Sequence, residues 1–251
     1  MKNPFDLTGK RAIVTGGSRG IGFALAEALY ESGAVVAVTG SSQSIQLAAN
    51  RLGSPDRVRG FEGNFEDSTA VESCFHQALE FLGGVDILVN NAGMQVRYPC
   101  EEFPLAEFER VIRVNLLSAF QMAQLAGHEM IRQGHGKIIN IASMLSFFGG
   151  YTVPAYAASK GGIAQLTKSL SNEWASKGVN VNAIAPGYIA TDNTAAIRAD
   201  MVRNAEILSR IPAGRWGSPQ DIAGALLFLC STASDYLSGA IVPVDGGFMG
   251  R

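Results

Sequence analysis

The chain has 251 residues, 47 % of them apolar and 17 % charged, with a formal net charge of −2. That apolar content supports a buried core and excludes a disordered chain, and the near-neutral charge excludes the basic footprint of a partner for nucleic acid or an anionic membrane. No apolar run is long enough to span a bilayer, and the length suits one large α/β domain, residues 1–251, with no low-complexity linker to divide it.

Arg11 to Thr15 (RAIVT) predicts a short strand running into GGSRGIG, Gly16 to Gly22. Apolar positions at helical spacing follow from Phe23 to Tyr30, stopped by Gly33, and Val35 to Thr39 predicts a second strand. Strand, glycine loop, helix, strand is the βαβ unit of a parallel sheet. Ser44 to Leu52 predicts a second helix, Arg57 to Phe61 a third strand, and Ser68 to Leu82 an amphipathic helix ended by Gly83 and Gly84. Val85 to Val89 predicts a fourth strand leading into NNAG, Asn90 to Gly93.

Pro104 to Arg132 reads as one long helix, Lys137 to Ile141 as a strand, Ala155 to about Ala175 as a helix and Val179 to Ile184 as a strand. Pro186 to Gly217 is the longest irregular region, with a helical piece from Thr194 to Arg210. Asp221 to Leu229 predicts a last helix and Ala240 to Val244 a last strand. Regular alternation of strand and helix predicts a doubly wound parallel sheet with helices on both faces.

Three features carry chemistry. Gly16, Gly20 and Gly22, with Ser18, Arg19 and Ile21 between them, stand between a strand and a helix, where backbone must approach a pyrophosphate and a helix N-terminus offers free N–H groups. The second strand ends in Thr39, Gly40, Ser41 and Ser42, without the acidic residue that holds the ribose hydroxyls of NAD. Arg19, Ser41 and Ser42 suit a 2′-phosphate instead, so NADP is the preferred expectation and NAD the alternative. Asn64 and Phe65, after the third strand, are placed for the adenine, and Asn91, Ala92 and Gly93 for the passage of backbone beside the cofactor.

Tyr156 and Lys160 are four residues apart, hence on one helix face, and an ammonium beside a phenol favours the phenolate. Ser143, at the end of the preceding strand, is placed to donate to a carbonyl oxygen beside the Tyr156 hydroxyl. The trio suits proton transfer to or from an alcohol or ketone oxygen. Cys74, Cys100 and Cys230 show neither disulfide nor metal-ligand spacing, and His76, His128 and His135 form no ligand pattern. No metal site is expected, no signal pattern opens the chain, and a cytoplasmic location is expected.

Taken together, TGGSRGIG, NNAG, Asn115, Ser143, YAASK and PGYIAT resemble the short-chain dehydrogenase/reductase family along essentially the whole chain. The resemblance implies a single Rossmann-type domain with a seven-stranded parallel sheet. It implies Tyr156 as general acid/base, Lys160 lowering its pKa and holding the nicotinamide ribose, and Ser143 orienting the substrate. Asn115 would support a water linking Lys160 to solvent. Pro186, Gly187, Ile189 and Thr191 would line the nicotinamide side, residues 186–217 would form a substrate lid, and the two long helices would pack in a homotetramer.

Asn64 departs from the family's adenine-site Asp. A narrower likeness, in IINIASMLSFFGG and AEILSRIPAGRWG, is to sugar-acid dehydrogenases of the gluconate type, some of which prefer NAD. Arg97 and Arg198 are the candidate partners of a substrate carboxylate. A ketoreductase of the 3-oxoacyl-carrier-protein type, which shares the motifs, is the alternative, and a non-catalytic nucleotide-binding regulator is disfavoured by the intact Asn115, Ser143, Tyr156 and Lys160.

Overall fold

The computed structural model describes residues 3–250. Seven strands are present among them: β1 (Arg11–Val14), β2 (Val35–Gly40), β3 (Val58–Glu62), β4 (Ile87–Asn90), β5 (Gly136–Ile141), β6 (Val179–Pro186) and β7 (Ile241–Val244). They form one sheet in the order β3-β2-β1-β4-β5-β6-β7, and every pairing is parallel. The chain winds outward from β1 to β3 and then, from β4, outward on the other side. The winding therefore reverses between β1 and β4, where the carboxyl ends of the strands leave a crevice.

Successive strand residues face opposite sides and both sides are apolar. Ala12 and Val14 face a core filled by Leu25 and Leu29 of α1 (Gly20–Glu31), Ile45 of α2 (Ser44–Leu52) and Ile222 and Leu226 of α9 (Gln220–Cys230). Ile13 and Leu88 face a second core, filled by Phe75 of α3 (Ser68–Leu82), Met122 and Met130 of α5 (Ser118–Gln133) and Leu170 of α6 (Pro154–Trp174). Asp67 starts α3 by accepting the Thr69 N–H at 2.9 Å, as an N-cap does. No helix among the described residues is long and apolar enough to cross a membrane.

Two expectations are corrected. The single helix from Pro104 to Arg132 is α4 (Leu105–Ile112), a π turn over Arg113–Leu117, and α5. The extra residue in that turn accompanies a side chain, Asn115, that bonds outside the helix, and Ser118 Oγ donates to Val114 O at 2.6 Å. The helical piece of the irregular region is two helices, α7 (Ala195–Ala199) and α8 (Met201–Arg210), separated by Asp200. The Asp200 carboxylate accepts the N–H groups of Val202 and Arg203 at 3.1 and 3.0 Å, so it ends one helix and caps the next.

Candidate active site

An open cleft of about 480 Å³ lies at the carboxyl ends of the strands, across the reversal point. The loop after β1 forms its floor: Gly16, Ser18, Arg19, Gly20, Ile21 and Gly22 all line it. A Cβ on Gly22 would stand 2.2 Å from Gly16 O, and one on Gly16, at φ +66°, would stand 2.9 Å from Ala92 Cα. Only glycine lets the loop, the first turn of α1 and the segment after β4 come this close. Thr15 Oγ1 accepts the N–H groups of Asn91 and Ala92, each at 2.9 Å, and Asn91 Nδ2 donates to Thr15 O and Gly16 O at 2.9 and 3.0 Å. Asn91, Ala92 and Gly93 are thereby fixed along the cleft wall. No side chain caps the N-terminus of α1 and its first turn holds no acid, so its N–H groups are free for an anion.

At the end of β2, Gly40 and Ser41 line the cleft and no carboxylate is present. Ser42 is not among the lining residues; its Oγ is 2.8 Å from Ser44 Oγ at the start of α2. Arg19 extends into solvent, 71 % exposed, with Asp192 at 3.9 Å as its ion-pair partner. Asn64 and Phe65 line the same end. Glu66, Arg110 and Val114 join them there, and the sequence reading missed all three. The available signal was spacing: Glu66 is two residues past Asn64, and Arg110 and Val114 are one helical turn apart.

Ser143, Tyr156 and Lys160 line the other end. Ser143 follows β5 and caps a short turn, its Oγ accepting the Leu145 N–H at 3.1 Å. Ser146 Oγ, in that turn, donates to Lys160 O at 2.6 Å and ties it to α6. α6 starts on Pro154, which lacks the N–H that the first helical position leaves unused. Tyr156 and Lys160 share one face of α6, with Lys160 Nζ 5.7 Å from the Tyr156 ring centroid.

Lys160 is buried, and burial lowers its pKa from 10.5 to about 8. Its Nζ donates to Ile141 O at 2.5 Å. Burial raises the Tyr156 phenol above its usual value, and the hydrogen bond with Ser143 opposes this only in part. The expected depression of Tyr156 by Lys160 is therefore not produced by the protein's own groups. The ammonium is committed to a backbone carbonyl and lies over the ring.

Asn115 is buried. Its Oδ1 accepts the Met94 N–H at 2.8 Å, and its Nδ2 donates to Met94 O at 2.9 Å and Ser159 Oγ at 3.1 Å. Ser159 Oγ in turn donates to Tyr156 O at 2.7 Å. Both amide N–H bonds are thus used inside the protein. The side chain straps the segment after β4 to the first turn of α6.

Pro186, Gly187, Ile189 and Thr191 line the cleft. Arg97 and Arg198 do not: Arg97 Nη1 is 3.5 Å from Thr152 Oγ1, and Arg198 Nη2 donates to Thr191 O at 3.1 Å. Both belong to the exposed surface around the opening. No group of three or more His, Cys, Asp or Glu that could hold a metal ion occurs among the described residues.

A doubly wound sheet with a glycine cradle at its reversal point and a Tyr–Lys face opposite a Ser defines a nucleotide-dependent oxidoreductase architecture. Residues 16–249 match the family model described as Enoyl-(Acyl carrier protein) reductase, and the chain belongs to the short-chain dehydrogenase/reductase family. More narrowly, it is 49 % identical over 253 residues to the 2-dehydro-3-deoxy-D-gluconate 5-dehydrogenase of Bacillus subtilis, covering 100 % of this chain and 99 % of that one. A crystal structure from Agrobacterium tumefaciens, described as a 2-deoxy-D-gluconate 3-dehydrogenase with bound NADP, is 48 % identical over 100 % of both chains with a TM-score of 0.91. A gluconate 5-dehydrogenase from Burkholderia cenocepacia, in complex with NADP and tartrate, is 37 % identical with a TM-score of 0.94 over 99 % of this chain and 98 % of that one.

Proposed function

We propose that this chain is an NADP-linked dehydrogenase/reductase acting on a secondary alcohol or ketone of a sugar acid of the gluconate type. The observation that carries the reading is the meeting of Ser143, Tyr156 and Lys160 at one end of a glycine-floored cleft. The names of the relatives at 49 and 48 % identity support the substrate class.

The cleft fits a dinucleotide. The N–H groups at the start of α1 and the loop that Gly16 and Gly22 keep open suit the pyrophosphate. Arg19 and Ser41, with no acid at the end of β2, suit a 2′-phosphate. Asn64 and Phe65 take the adenine end, while Asn91, Ala92, Gly93, Pro186, Gly187, Ile189 and Thr191 take the nicotinamide half. When bound, the cofactor supplies the hydride for reduction or accepts it in oxidation.

Ser143 Oγ holds the substrate oxygen, and Tyr156 Oη gives it a proton in reduction or takes one in oxidation. Lys160 holds the ribose and presents a positive charge to the Tyr156 ring. Asn115 acts through the Met94 backbone and Ser159, fixing the wall of the cleft against the turn that carries Tyr156. The segment 186–217, with α7 and α8, forms a lid whose Ile197, Ile207 and Ile211 pack with Met144, Tyr188 and Trp216 beside the substrate end. The chain works as a homotetramer in the cytoplasm. Support for the first is the exposure of Leu105, Leu117 and Phe120 along α4, the π turn and α5; support for the second is that Cys74, Cys100 and Cys230 are free thiols.

The test follows NADPH and NADH oxidation against keto sugar acids, simple ketones and acetoacetyl thioesters. Turnover with a keto sugar acid and NADPH is expected, and its loss in Tyr156→Phe with NADPH binding retained. Turnover confined to thioesters would move the chain to the carrier-protein ketoreductases. A Tyr156→Phe enzyme with most of its activity would remove Tyr156 as the acid/base.

A further inference from the structure

At the end of the cleft away from Tyr156, the side chains form an ordered pair of hydrogen-bonding groups. Asn64 Oδ1 accepts the Glu66 N–H at 3.0 Å. A backbone N–H meets an oxygen and not an amide NH₂, so this bond fixes which way the Asn64 amide is turned. Its Nδ2 is left as a donor with both N–H bonds unspent.

Two residues on, Glu66 presents the opposite chemistry. Its Oε1 accepts Arg110 Nε at 2.7 Å, and Oε2 remains as an acceptor. Arg110 is held in place from its other side by Glu107 Oε2, 3.6 Å from Nη1. Phe65, 7 % exposed, lies between donor and acceptor in sequence, and Val114, one turn beyond Arg110, adds a second apolar wall. β3 and β5 are four places apart in the sheet, so this end stands roughly 19 Å from the end of β5 at ~4.8 Å per strand.

We propose that Glu66, braced by Arg110, accepts the 6-amino group of the cofactor's purine beside a donor supplied by Asn64, and that the pair selects adenine against a 6-oxopurine. The inference rests on the reading of the cleft as a dinucleotide site and adds the residue that identifies the base. The Watson–Crick edge of adenine carries an amino donor next to the N1 acceptor. A carboxylate, which only accepts, beside an amide N–H, which only donates, complements that order. Hypoxanthine reverses the order, with an O6 acceptor beside an N1–H donor, and meets a like group at both positions. A mismatch that sets like groups against each other at both positions is rejected more strongly than the loss of an apolar contact.

Asn64 Oδ1 is turned toward the Glu66 N–H, so the side-chain group that Asn64 has left to give the base is its Nδ2 donor, and the carboxylate of Glu66 supplies the acceptor. Arg110 has two tasks in this arrangement. It holds the carboxylate in one rotamer, and it neutralises a negative charge that would otherwise repel the phosphates of the dinucleotide along the same cleft.

The test is equilibrium binding, read as nicotinamide fluorescence in titrations of the full chain with NADPH and with reduced nicotinamide hypoxanthine dinucleotide phosphate. Wild type is expected to bind NADPH at least tenfold more tightly. In Glu66→Gln the amide can present either its oxygen or its NH₂, so the two constants are expected to fall within about threefold of each other. In Arg110→Met the carboxylate survives without its brace, so both nucleotides weaken together and the preference stays above tenfold. Both side chains are partly exposed, and thermal unfolding midpoints close to wild type check that the variants fold. A Glu66→Gln protein with the wild-type preference, or wild type binding both nucleotides alike, overturns the assignment and leaves the dinucleotide site standing. Binding of neither nucleotide overturns the site itself and this assignment with it.

Discussion

Replacing Lys160 by methionine separates the charge the cleft needs from the stability the fold would have without it. Burial lowers the Lys160 pKa from 10.5 to about 8, which corresponds to about 3 kcal/mol held against the charged form at ~1.4 kcal/mol per pH unit. Below pH 8 the native and unfolded chains both carry the ammonium, and the full penalty falls on the native state. Between pH 8 and 10.5 the native chain has released a proton that the unfolded chain still binds, so wild-type stability gains about 1.4 kcal/mol per pH unit relative to a variant with nothing to titrate there. Methionine leaves Ile141 O without its donor, at a cost of about 1–2 kcal/mol. The variant should therefore be about 1–2 kcal/mol more stable than wild type at pH 7, with the order reversed at pH 10 and turnover lost throughout. Urea unfolding of both proteins at pH 7, 8, 9 and 10, followed by the fluorescence of Trp174 and Trp216, measures the difference, from which other alkaline titrations cancel. A stability difference that stays flat from pH 7 to 10 would refute the claim that Lys160 is held charged against its burial.

At the far end of the sheet, burial raises the Asp86 carboxyl, but hydrogen bonds from the Arg11 side chain and backbone and from His135 overcome this and hold it at about 2. Against 3.8 in the unfolded chain, that is a contribution of about 2 kcal/mol, complete above pH 4 and lost as the pH falls through 2. Asp86→Asn should lower the unfolding free energy from urea titration at pH 7 by that amount, with the gap from wild type reduced to about half by pH 3; a gap that widens in acid contradicts the sign. Gly22→Ala places a methyl 2.2 Å from Gly16 O and 2.4 Å from Asn91 Nδ2, so the loop must move. NADPH affinity is expected to fall at least a hundredfold and the unfolding free energy by about 1–3 kcal/mol, as in an overpacked core. Unchanged NADPH binding in a titration would show that the loop does not form the cradle.

Where a feature is decided by neighbours in the chain, the sequence reading reached it. The bounds of α2 and α3 follow from apolar spacing and end residues within each helix. The glycine loop was legible for the same reason. The π turn was not, because an apolar pattern survives one extra residue, and its cause is a contact from Asn115 to Met94, 21 positions away. Likewise Arg97 and Arg198 were chosen for charge, but their positions depend on Thr152, 55 residues from Arg97, and on a lid segment that turns Arg198 back to Thr191. Glu66 and Arg110 meet across 44 residues, so the local spacing that marks each of them does not show that they pair.

The electrostatics of Tyr156 could not be read from spacing either, and they bear on how the site works. Y-x-x-x-K puts an ammonium near a phenol, which by itself predicts a more acidic phenol. The fold adds burial of both groups. It raises Tyr156, it lowers Lys160 to about 8, and it turns the ammonium toward Ile141 O. With the protein's own groups alone, Tyr156 is a neutral phenol at pH 7 and Lys160 is still largely charged. A neutral phenol beside the Ser143 hydroxyl is ready to give a proton, which is what reduction of a ketone asks of it. Removing a proton from an alcohol asks for the phenolate, and the field that favours phenolate has to gain positive charge before that direction can run. The same three side chains thus serve reduction as they stand and serve oxidation only with an added cation beside them, so any pH dependence should differ between the two directions.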